Sequence, residues 1–277
     1  MVEYRNAVTY SLEELASGMT HCFEDYVIPV AVTPTSFASM IRVDAIDLAS
    51  TILAVGGSEI IGMLLVGRRG STMRIAAMAV AKAHRSLGLG GDLIRMGLTQ
   101  SKERGERHVV LEVIECNVKA RAFYDRNGFQ VEHRLISGTC TLESSAGLQQ
   151  IKEIPLSEMV ARPFFSEPGA AAWQMSSASV CQMANPVVAY DFDGFAAAVV
   201  PKDDDRIVCL SLAPSGMDDA CKFRGLLSAL GERYPGHVFQ AMPCFPEPAF
   251  QELFQSVGLE SMGISQFQMS RELGPDC

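Results

Sequence analysis

A cluster of glycines between two structured runs is the feature that most constrains how this chain folds. The segment HRSLGLGGDLIRMGL begins at His84 and contains Arg85 followed by three glycines within four positions. An apolar run typical of a strand precedes it, and an amphipathic run typical of a helix follows it. Glycine has no β-carbon, so such a loop lets a ligand come close to the backbone. The first turn of a helix leaves N–H groups unpaired and carries a partial positive charge, so the loop predicts a phosphate site.

The spacing within this loop disagrees with two common phosphate-binding motifs. A P-loop needs Lys followed by Ser or Thr after its last glycine, whereas Gly91 is followed by Asp92. The dinucleotide fingerprint needs glycine or alanine at a position that Leu93 occupies, and it follows the first strand of its domain. A helix start that binds no ligand is the remaining alternative.

Two segments of the chain carry a resemblance to one family. In MAVAKAHRSLGLGGDLI, the pattern Arg/Gln-x-x-Gly-x-Gly/Ala begins at Arg85, and Val80 stands five residues before that arginine. In LEVIECNVKARAFYDRNGFQ, an Asn begins a helical pattern that ends in Ala-x-x-x-Tyr-x-x-x-Gly-Phe. These segments are similar to motif A and to the second signature of the GNAT family of acyl-CoA-dependent N-acetyltransferases. The matching residues of the second signature are Asn117, Ala120, Tyr124, Gly128 and Phe129.

The order of apolar segments predicts an α/β fold in two domains. The first half of the chain contains two helices and three strands, followed by a helix, a strand, a helix and a strand. The resemblance implies an α/β (α+β) fold, in which a mixed, mostly antiparallel sheet has a parallel, splayed centre flanked by helices. Composition then shifts to Ser, Gly, Pro and Glu, after which the pattern partly recurs. We therefore predict a GNAT acetyltransferase domain at residues 1–147 and a degenerate GNAT-like domain at residues 148–277.

The second half lacks the residues of the glycine loop. Met217 stands where the first half has its arginine, and the following Asp218 and Asp219 would repel a pyrophosphate at a helix start. Phe254 takes the place of Tyr124 and has no phenolic oxygen. We expect this half to pack on the first and to shape its acceptor cleft.

The resemblance assigns contacts with acetyl-CoA to a strand, the loop and a helix start. Strand backbone groups would pair with the pantetheine amides, the loop would enclose the pyrophosphate, and the Asn side chain would bond to the cofactor. Ordinary core packing, a helix start and an N-cap are the corresponding structural alternatives. The residues assigned in this way are Met78, Ala79, Val80, Arg85, Ser86, Leu87, Gly88, Leu89, Gly90 and Asn117.

Tyr124 is the candidate general acid, because a phenol can protonate the thiolate that an amine expels from a thioester. The candidate general base is Glu112, the better family match, with Glu115 as the alternative. Strand alternation puts these two carboxylates on opposite faces.

Cys116 offers a covalent route but has no adjacent base, so direct attack in a ternary complex is expected. Candidates for the acceptor pocket are His21, Tyr26 and Asp44.

Charge and cysteine usage narrow the class of partner. The formal net charge is −9, which disfavours nucleic acid and acidic membrane surfaces and suits a cationic amine. The eight cysteines are scattered singly, so we expect reduced thiols, no metal and a cytoplasmic protein.

The prediction is an acetyl-CoA-dependent N-acetyltransferase that acts on a small-molecule primary amine, as a monomer or homodimer. A non-catalytic acyl-CoA sensor and a protein or peptide N-acetyltransferase are the alternatives.

Overall fold

The chain forms two compact units in the computed structural model. The structure describes residues 1–143, 151–166, 172–184, 186–216 and 218–274. Unit 1 comprises Met1–Glu132 and Gln268–Cys277, and unit 2 comprises His133–Phe267. The predicted boundary at 147/148 and the position of Met217 lie outside the described residues. No helix in the described ranges is both long enough and apolar enough to span a membrane.

Twelve strands and eight α-helices are named here in chain order over the described residues. They are β1 (Val2–Asn6), α1 (Leu12–Cys22), α2 (Pro34–Val43), β2 (Ile52–Gly56), β3 (Glu59–Arg69), β4 (Thr72–Val80), α3 (Leu89–Glu103), β5 (His108–Ile114), α4 (Val118–Arg126), β6 (Gln130–Thr141), β7 (Lys152–Ile154), α5 (Leu156–Val160), α6 (Ser177–Val180), β8 (Val188–Phe192), β9 (Phe195–Pro201), β10 (Arg206–Ala213), α7 (Asp219–Arg233), β11 (Val238–Pro246), α8 (Glu247–Ser256) and β12 (Gln266–Glu272).

The sheet of unit 1 is mixed, with the strand order β1-β2-β3-β4-β5-β12. Strands β1 to β4 are antiparallel neighbours, and β4 runs parallel to β5. Helix α3 packs closely on β3, because a β-carbon on Gly97 would lie 2.5 Å from the Leu64 side chain. Helix α1 begins at a capping box formed by Ser11 and Glu14. The predicted mixed, mostly antiparallel sheet with a parallel centre is confirmed.

The last strand of the chain belongs to unit 1 from Gln268 onward, whereas the sequence pattern put everything beyond residue 147 in a second domain. Leu273 N donates a hydrogen bond to Arg107 O at 2.8 Å, and Arg271 donates to Asn127 O at 2.5 Å. Strand pairing joins residues that are distant in sequence, so apolar periodicity alone does not reveal which sheet a terminal strand joins.

Strands β4 and β5 separate part-way along their length. They pair over four rungs only, Thr72–Ile75 with His108–Leu111. The register between β3 and β4 shifts at the same level and leaves Ala76 without a partner. Such a bulge bends and twists a strand. We call the opening between Ala76–Val80 and Glu112–Ile114 the fork, and it is the splayed centre that the resemblance implies.

Unit 2 repeats this plan in its strands, whose order is β6-β11-β10-β9-β8-β7. Strands β10 and β11 are parallel over four rungs, Arg206–Cys209 with Val238–Ala241, and the register between β9 and β10 shifts next to Cys209. Helix α7 follows β10 as α3 follows β4. The predicted recurrence of the α/β pattern is therefore present in the fold.

Candidate active site

The glycine loop, Arg85–Gly90, connects β4 to α3 and alternates in backbone handedness. Ser86 has a φ of 64° and Gly88 a φ of 87°. Alternation of this kind turns successive N–H groups toward one concavity that suits an anion. Gly88 is the N-cap of α3, and no side chain caps the helix at this position.

The start of α3 is open, whereas those of α1 and α2 are capped. The six amides of Ser86–Gly91 have no hydrogen-bond acceptor within the part of the chain that the structure describes. Ser11 and Thr33, in contrast, cap α1 and α2 with their side chains. A β-carbon on Gly88 would meet no atom of the described residues within 4 Å, so the space beside Gly88 is open. These amides are available to a bound anion.

Arg85 contacts the backbone at two places. Its Nε donates to Val80 O at 2.9 Å and its NH2 donates to Glu24 O at 2.8 Å. The guanidinium therefore ties the loop to the end of β4 and to the segment after α1, while it remains exposed beside the open amides. The same contact occupies the carbonyl of Val80, one of the residues predicted to meet the cofactor.

The edge of β4 that faces the fork carries peptide groups without a partner strand. Met78, Ala79 and Val80 pair with β3 on one edge and are half-buried. In an antiparallel pair, alternate residues direct their N–H and C=O groups away from the partner. Since β5 has diverged at this level, these groups can pair with an extended amide chain.

Asn117 is the N-cap of α4, as the structural alternative predicts. Its Oδ1 accepts a hydrogen bond from Ala120 N at 3.2 Å. The Asn117 side chain also bonds to the Tyr26 hydroxyl, and burial of Tyr26 raises the pKa of that phenol despite this bond. The cap thus connects α4 to the segment after α1.

Tyr124 lies in α4 and is buried, with only 7% of the residue exposed. The ring packs edge-on against Phe123 and Phe129, with centroids 5.5 and 5.7 Å away. Burial, with a smaller contribution from Tyr26, raises the pKa of Tyr124 above its ordinary value, so the phenol is protonated at neutral pH. Its hydroxyl makes no hydrogen bond to any described residue. The group can therefore donate a proton to a ligand.

Glu112 is the first residue of β5 beyond the last paired rung, and its side chain is only 3% exposed. Its Oε2 accepts from Arg74 Nε at 2.8 Å and lies 2.7 Å from Arg74 NH2. Arg74 also donates from NH1 to Asp44 Oδ1 at 3.0 Å. The predicted base is therefore part of a buried cluster, and Asp44, predicted for the acceptor pocket, is bound to the same guanidinium.

Sequence reasoning missed Arg74, whose signal is a single charge within the otherwise apolar strand MRIAAMAV. Burial alone would lower the pKa of Arg74, but the charges of Glu112 and Asp44 outweigh that effect and raise it. The guanidinium therefore stays charged.

A cavity of about 690 Å³ lies at the end of α1 and contains the other two predicted acceptor residues, His21 and Tyr26. Its wall also includes Glu24 and Asp25, the second of which is paired with Lys82. The carboxylates and the phenol add polar and acidic groups to a lining that is otherwise largely apolar. In the described ranges, no group of three His, Cys, Asp or Glu side chains could hold a metal ion.

Comparisons with known proteins agree with this arrangement. Residues 20–129 match the sequence model described as "Acetyltransferase (GNAT) family". Residues 20–129 form a GNAT domain. The match includes the glycine loop, Glu112, Asn117 and Tyr124.

Curated relatives share part of this GNAT domain. The chain is 35% identical over 79 residues to mycothiol acetyltransferase from Corynebacterium efficiens, a match that covers 28% of this chain and 27% of that protein. It is 33% identical over 84 residues to N-alpha-acetyltransferase 30 from Schizosaccharomyces pombe, covering 28% of this chain and 56% of that protein. The chain thus matches about a quarter of the first relative and just over half of the second.

A solved structure extends the likeness of fold beyond the GNAT domain. The chain aligns with a tandem GNAT protein from the clavulanic acid biosynthesis pathway over all of both chains, with a TM-score of 0.62 and 13% identity. The two units described above are therefore consistent with a tandem GNAT fold.

The counterpart of the glycine loop in unit 2 is closed by the chain itself. Asp218 is the N-cap of α7 with a φ of 64°, close to the conformation of Gly88. The carboxylate of Asp219 accepts from Ser215 N at 2.8 Å and from Gly216 N at 3.0 Å. Where the GNAT domain has open amides, this helix start already holds an anionic group.

Proposed function

We propose that this chain transfers the acetyl group of acetyl-CoA to a primary amine of a small molecule, with both substrates bound in a ternary complex. The observation that carries the proposal is the open start of α3 with its six unpaired amides, where Gly90 lies next to the Met78 side chain of the fork and to Phe123, the residue before Tyr124. The GNAT domain and the names of its curated relatives support the same reaction class.

The loop and the fork fit the two halves of acetyl-CoA. Amides of Ser86–Gly90 would bind the pyrophosphate, with positive charge from Arg85 beside them. Peptide groups of Met78 and the N–H of Val80, which alternate with the groups that bond to β3, would pair with the pantetheine amides, whereas the register directs the peptide groups of Ala79 toward β3. Asn117 would act mainly by fixing the start of α4 next to the fork. The thioester supplies the activated acetyl group.

The reaction needs one proton acceptor and one proton donor. An ammonium acceptor loses a proton to Glu112, and the amine nitrogen attacks the thioester carbonyl. The carbon–sulfur bond then breaks, and the departing thiolate takes a proton from Tyr124. The nitrogen, which still carries an extra proton after the attack, releases it to water, so that a neutral amide and free CoA are formed. Protons are exchanged with water afterwards, which restores the carboxylate and the phenol. The raised pKa of Tyr124 keeps the proton in place until the thiolate forms.

The cavity beside α1 supports a cationic acceptor of small size. It has a volume of about 690 Å³, which suits a small ligand, and Glu24 lies in its wall. The formal net charge of −9 also attracts cations. One relative is named for mycothiol, a small molecule.

A protein or peptide N-terminus is the second candidate acceptor. It is favoured by the match to a protein named N-alpha-acetyltransferase 30, more than half of which is covered. Both candidates use the same donor site and differ only in the acceptor.

The test is release of free CoA, followed with a thiol reagent, across a panel of polyamines, amino acids, aminoglycosides and short peptides. We expect turnover with small amines and little with peptides of neutral N-terminal sequence. Turnover confined to peptides would support the second candidate. Tight binding of acetyl-CoA without turnover on any amine would refute both.

A further inference from the structure

We propose that Arg74 is a positioning residue that holds Glu112 at the fork for proton transfer, and that Asp44 balances its charge. This inference rests on the proposed function. Three elements contribute to the cluster: Arg74 from β4, Glu112 from β5, and Asp44 from the C-cap of α2. The contacts are 2.7–2.8 Å to Glu112 and 3.0 Å to Asp44.

The register of the sheet explains how Arg74 reaches Glu112. Arg74 is paired with Val110, one rung before the last, and Glu112 stands two residues after Val110 on the same face. Arg74 thus lies in the paired part of the sheet, whereas Glu112 lies where β5 has left β4. The guanidinium bridges the point of separation and sets the carboxylate at the mouth of the fork.

The proton transfer explains why Arg74 needs a second carboxylate, that of Asp44. When Glu112 takes a proton from the amine, it loses its negative charge, and a guanidinium with a single carboxylate would become an unpaired buried cation. Such a cation is strongly unfavourable at a site where the Arg74 side chain is 5% exposed. Asp44, 16% exposed, leaves Arg74 with one carboxylate partner throughout the proton transfer, and it also faces the charge of the half-buried Arg69.

The same unit contains a similar cluster away from the fork, which serves as a control. Arg68 on β3 pairs with Glu106 and with Asp47, the latter at 3.3 Å, and its side chain is 13% exposed. Arg68 is opposite Met73 in the register, on the paired part of β4 and toward the β3–β4 turn. If a buried arginine with two carboxylates contributed only to structure, its replacement should therefore have the same effect on activity in both clusters.

The experiment compares Arg74→Gln, Asp44→Asn and Arg68→Gln in the full chain, with kcat and KM measured for both substrates. Rates are normalised to the fraction of chains that bind acetyl-CoA, so that unfolded protein does not count. We expect kcat to fall between about 10- and 100-fold in Arg74→Gln, with KM for acetyl-CoA changed less than about twofold. We expect a smaller fall in kcat for the more exposed Asp44→Asn, and a normalised kcat within about twofold of wild type for Arg68→Gln.

A double-mutant cycle tests whether Arg74 acts through Glu112. If it does, Glu112→Gln combined with Arg74→Gln is no slower than Glu112→Gln alone. The inference would be overturned if Glu112→Gln and Arg74→Gln lowered kcat independently, so that the losses in the double variant multiplied. Equal losses of normalised kcat in Arg74→Gln and Arg68→Gln would also overturn it. If Arg74→Gln does not fold, Asp44→Asn decides by the same comparison with Arg68→Gln. A wild-type chain without turnover refutes this inference together with the proposed function, whereas failure of the inference alone leaves wild-type turnover intact.

Discussion

A β-carbon on Gly90 would lie 3.7 Å from the ring of Phe123, so the start of α3 and the middle of α4 are in contact. Phe123 precedes Tyr124, and Gly90 ends the glycine loop. Gly90 and Phe123 belong to the two segments that resemble the GNAT signatures and are more than thirty residues apart in sequence. Their contact places the loop with the open amides against α4, the helix that carries the buried phenol of Tyr124. Binding of the donor and protonation of its thiolate are therefore expected to be separable by mutation.

Replacing Gly88 by valine should weaken acetyl-CoA binding by at least about tenfold. The φ of 87° is unfavourable for a β-branched residue, and the added side chain would occupy the free space in front of the amides. Gly105→Val is the matched control, because Gly105 has a φ of 74° and no atom within 4 Å of an added β-carbon, at the other end of α3. Both variants should lose stability, whereas only Gly88→Val should change the Kd in calorimetric titration. Equal Kd values for the two would exclude the loop as the pyrophosphate site.

Replacing Tyr124 by phenylalanine should lower kcat by about 100-fold and leave the Kd for acetyl-CoA within about twofold. The pKa of Tyr124 is raised by burial, so the proton that it donates is present at neutral pH and is lost only above the ordinary tyrosine range. The wild-type rate should accordingly show no fall from this group up to about pH 10, the usual pKa of a tyrosine. Tyr190→Phe provides a control, since Tyr190 is a buried phenol of unit 2 that bonds to Tyr234 at 2.8 Å. An unchanged kcat in Tyr124→Phe would remove Tyr124 from the mechanism.

The features that sequence could predict are those whose signal is local. The glycine loop, the cap by Asn117 and the Ser11 capping box each depend on a few adjacent residues with known backbone preferences. The parallel centre of the sheet followed from a strand, a helix and a strand in succession. The bulge at Ala76 has no residue signature and appears only in the register.

The interior of the site depends on register between separate elements, which one sequence does not reveal. Arg74, Glu112 and Asp44 come together from two strands and a helix end, so Glu112 appeared in sequence as an unpaired candidate base. Arg85 bonds to carbonyl oxygens, which every residue has, and no pattern marks the partner. Strand β1 was also missed, because its residues are mostly exposed and lack an apolar period.

One molecule of acetyl-CoA should bind per chain. The start of α7 in unit 2 already holds the Asp219 carboxylate, and Phe254 there has no hydroxyl. Titration calorimetry should give a stoichiometry close to one, and Asp219→Ala should lower the free energy of unfolding by about 1 kcal/mol through loss of its hydrogen bonds. The Kd for acetyl-CoA should not change in that variant. A stoichiometry of two would show that unit 2 retains a donor site.

Acetyl-CoA should slow the alkylation of Cys116 and leave that of Cys221 unchanged. Both thiols are exposed, but Cys116 precedes the Asn117 cap at the fork, whereas Cys221 lies in α7 of unit 2. Cys22 should not react in the folded chain, because burial raises the pKa of its thiol to about 12. Iodoacetamide labelling followed by peptide mass spectrometry measures all three sites in one experiment. Acetyl-CoA in saturating amount should lower the Cys116 rate several-fold, and equal protection of Cys221 would mean that the effect is not local to the fork.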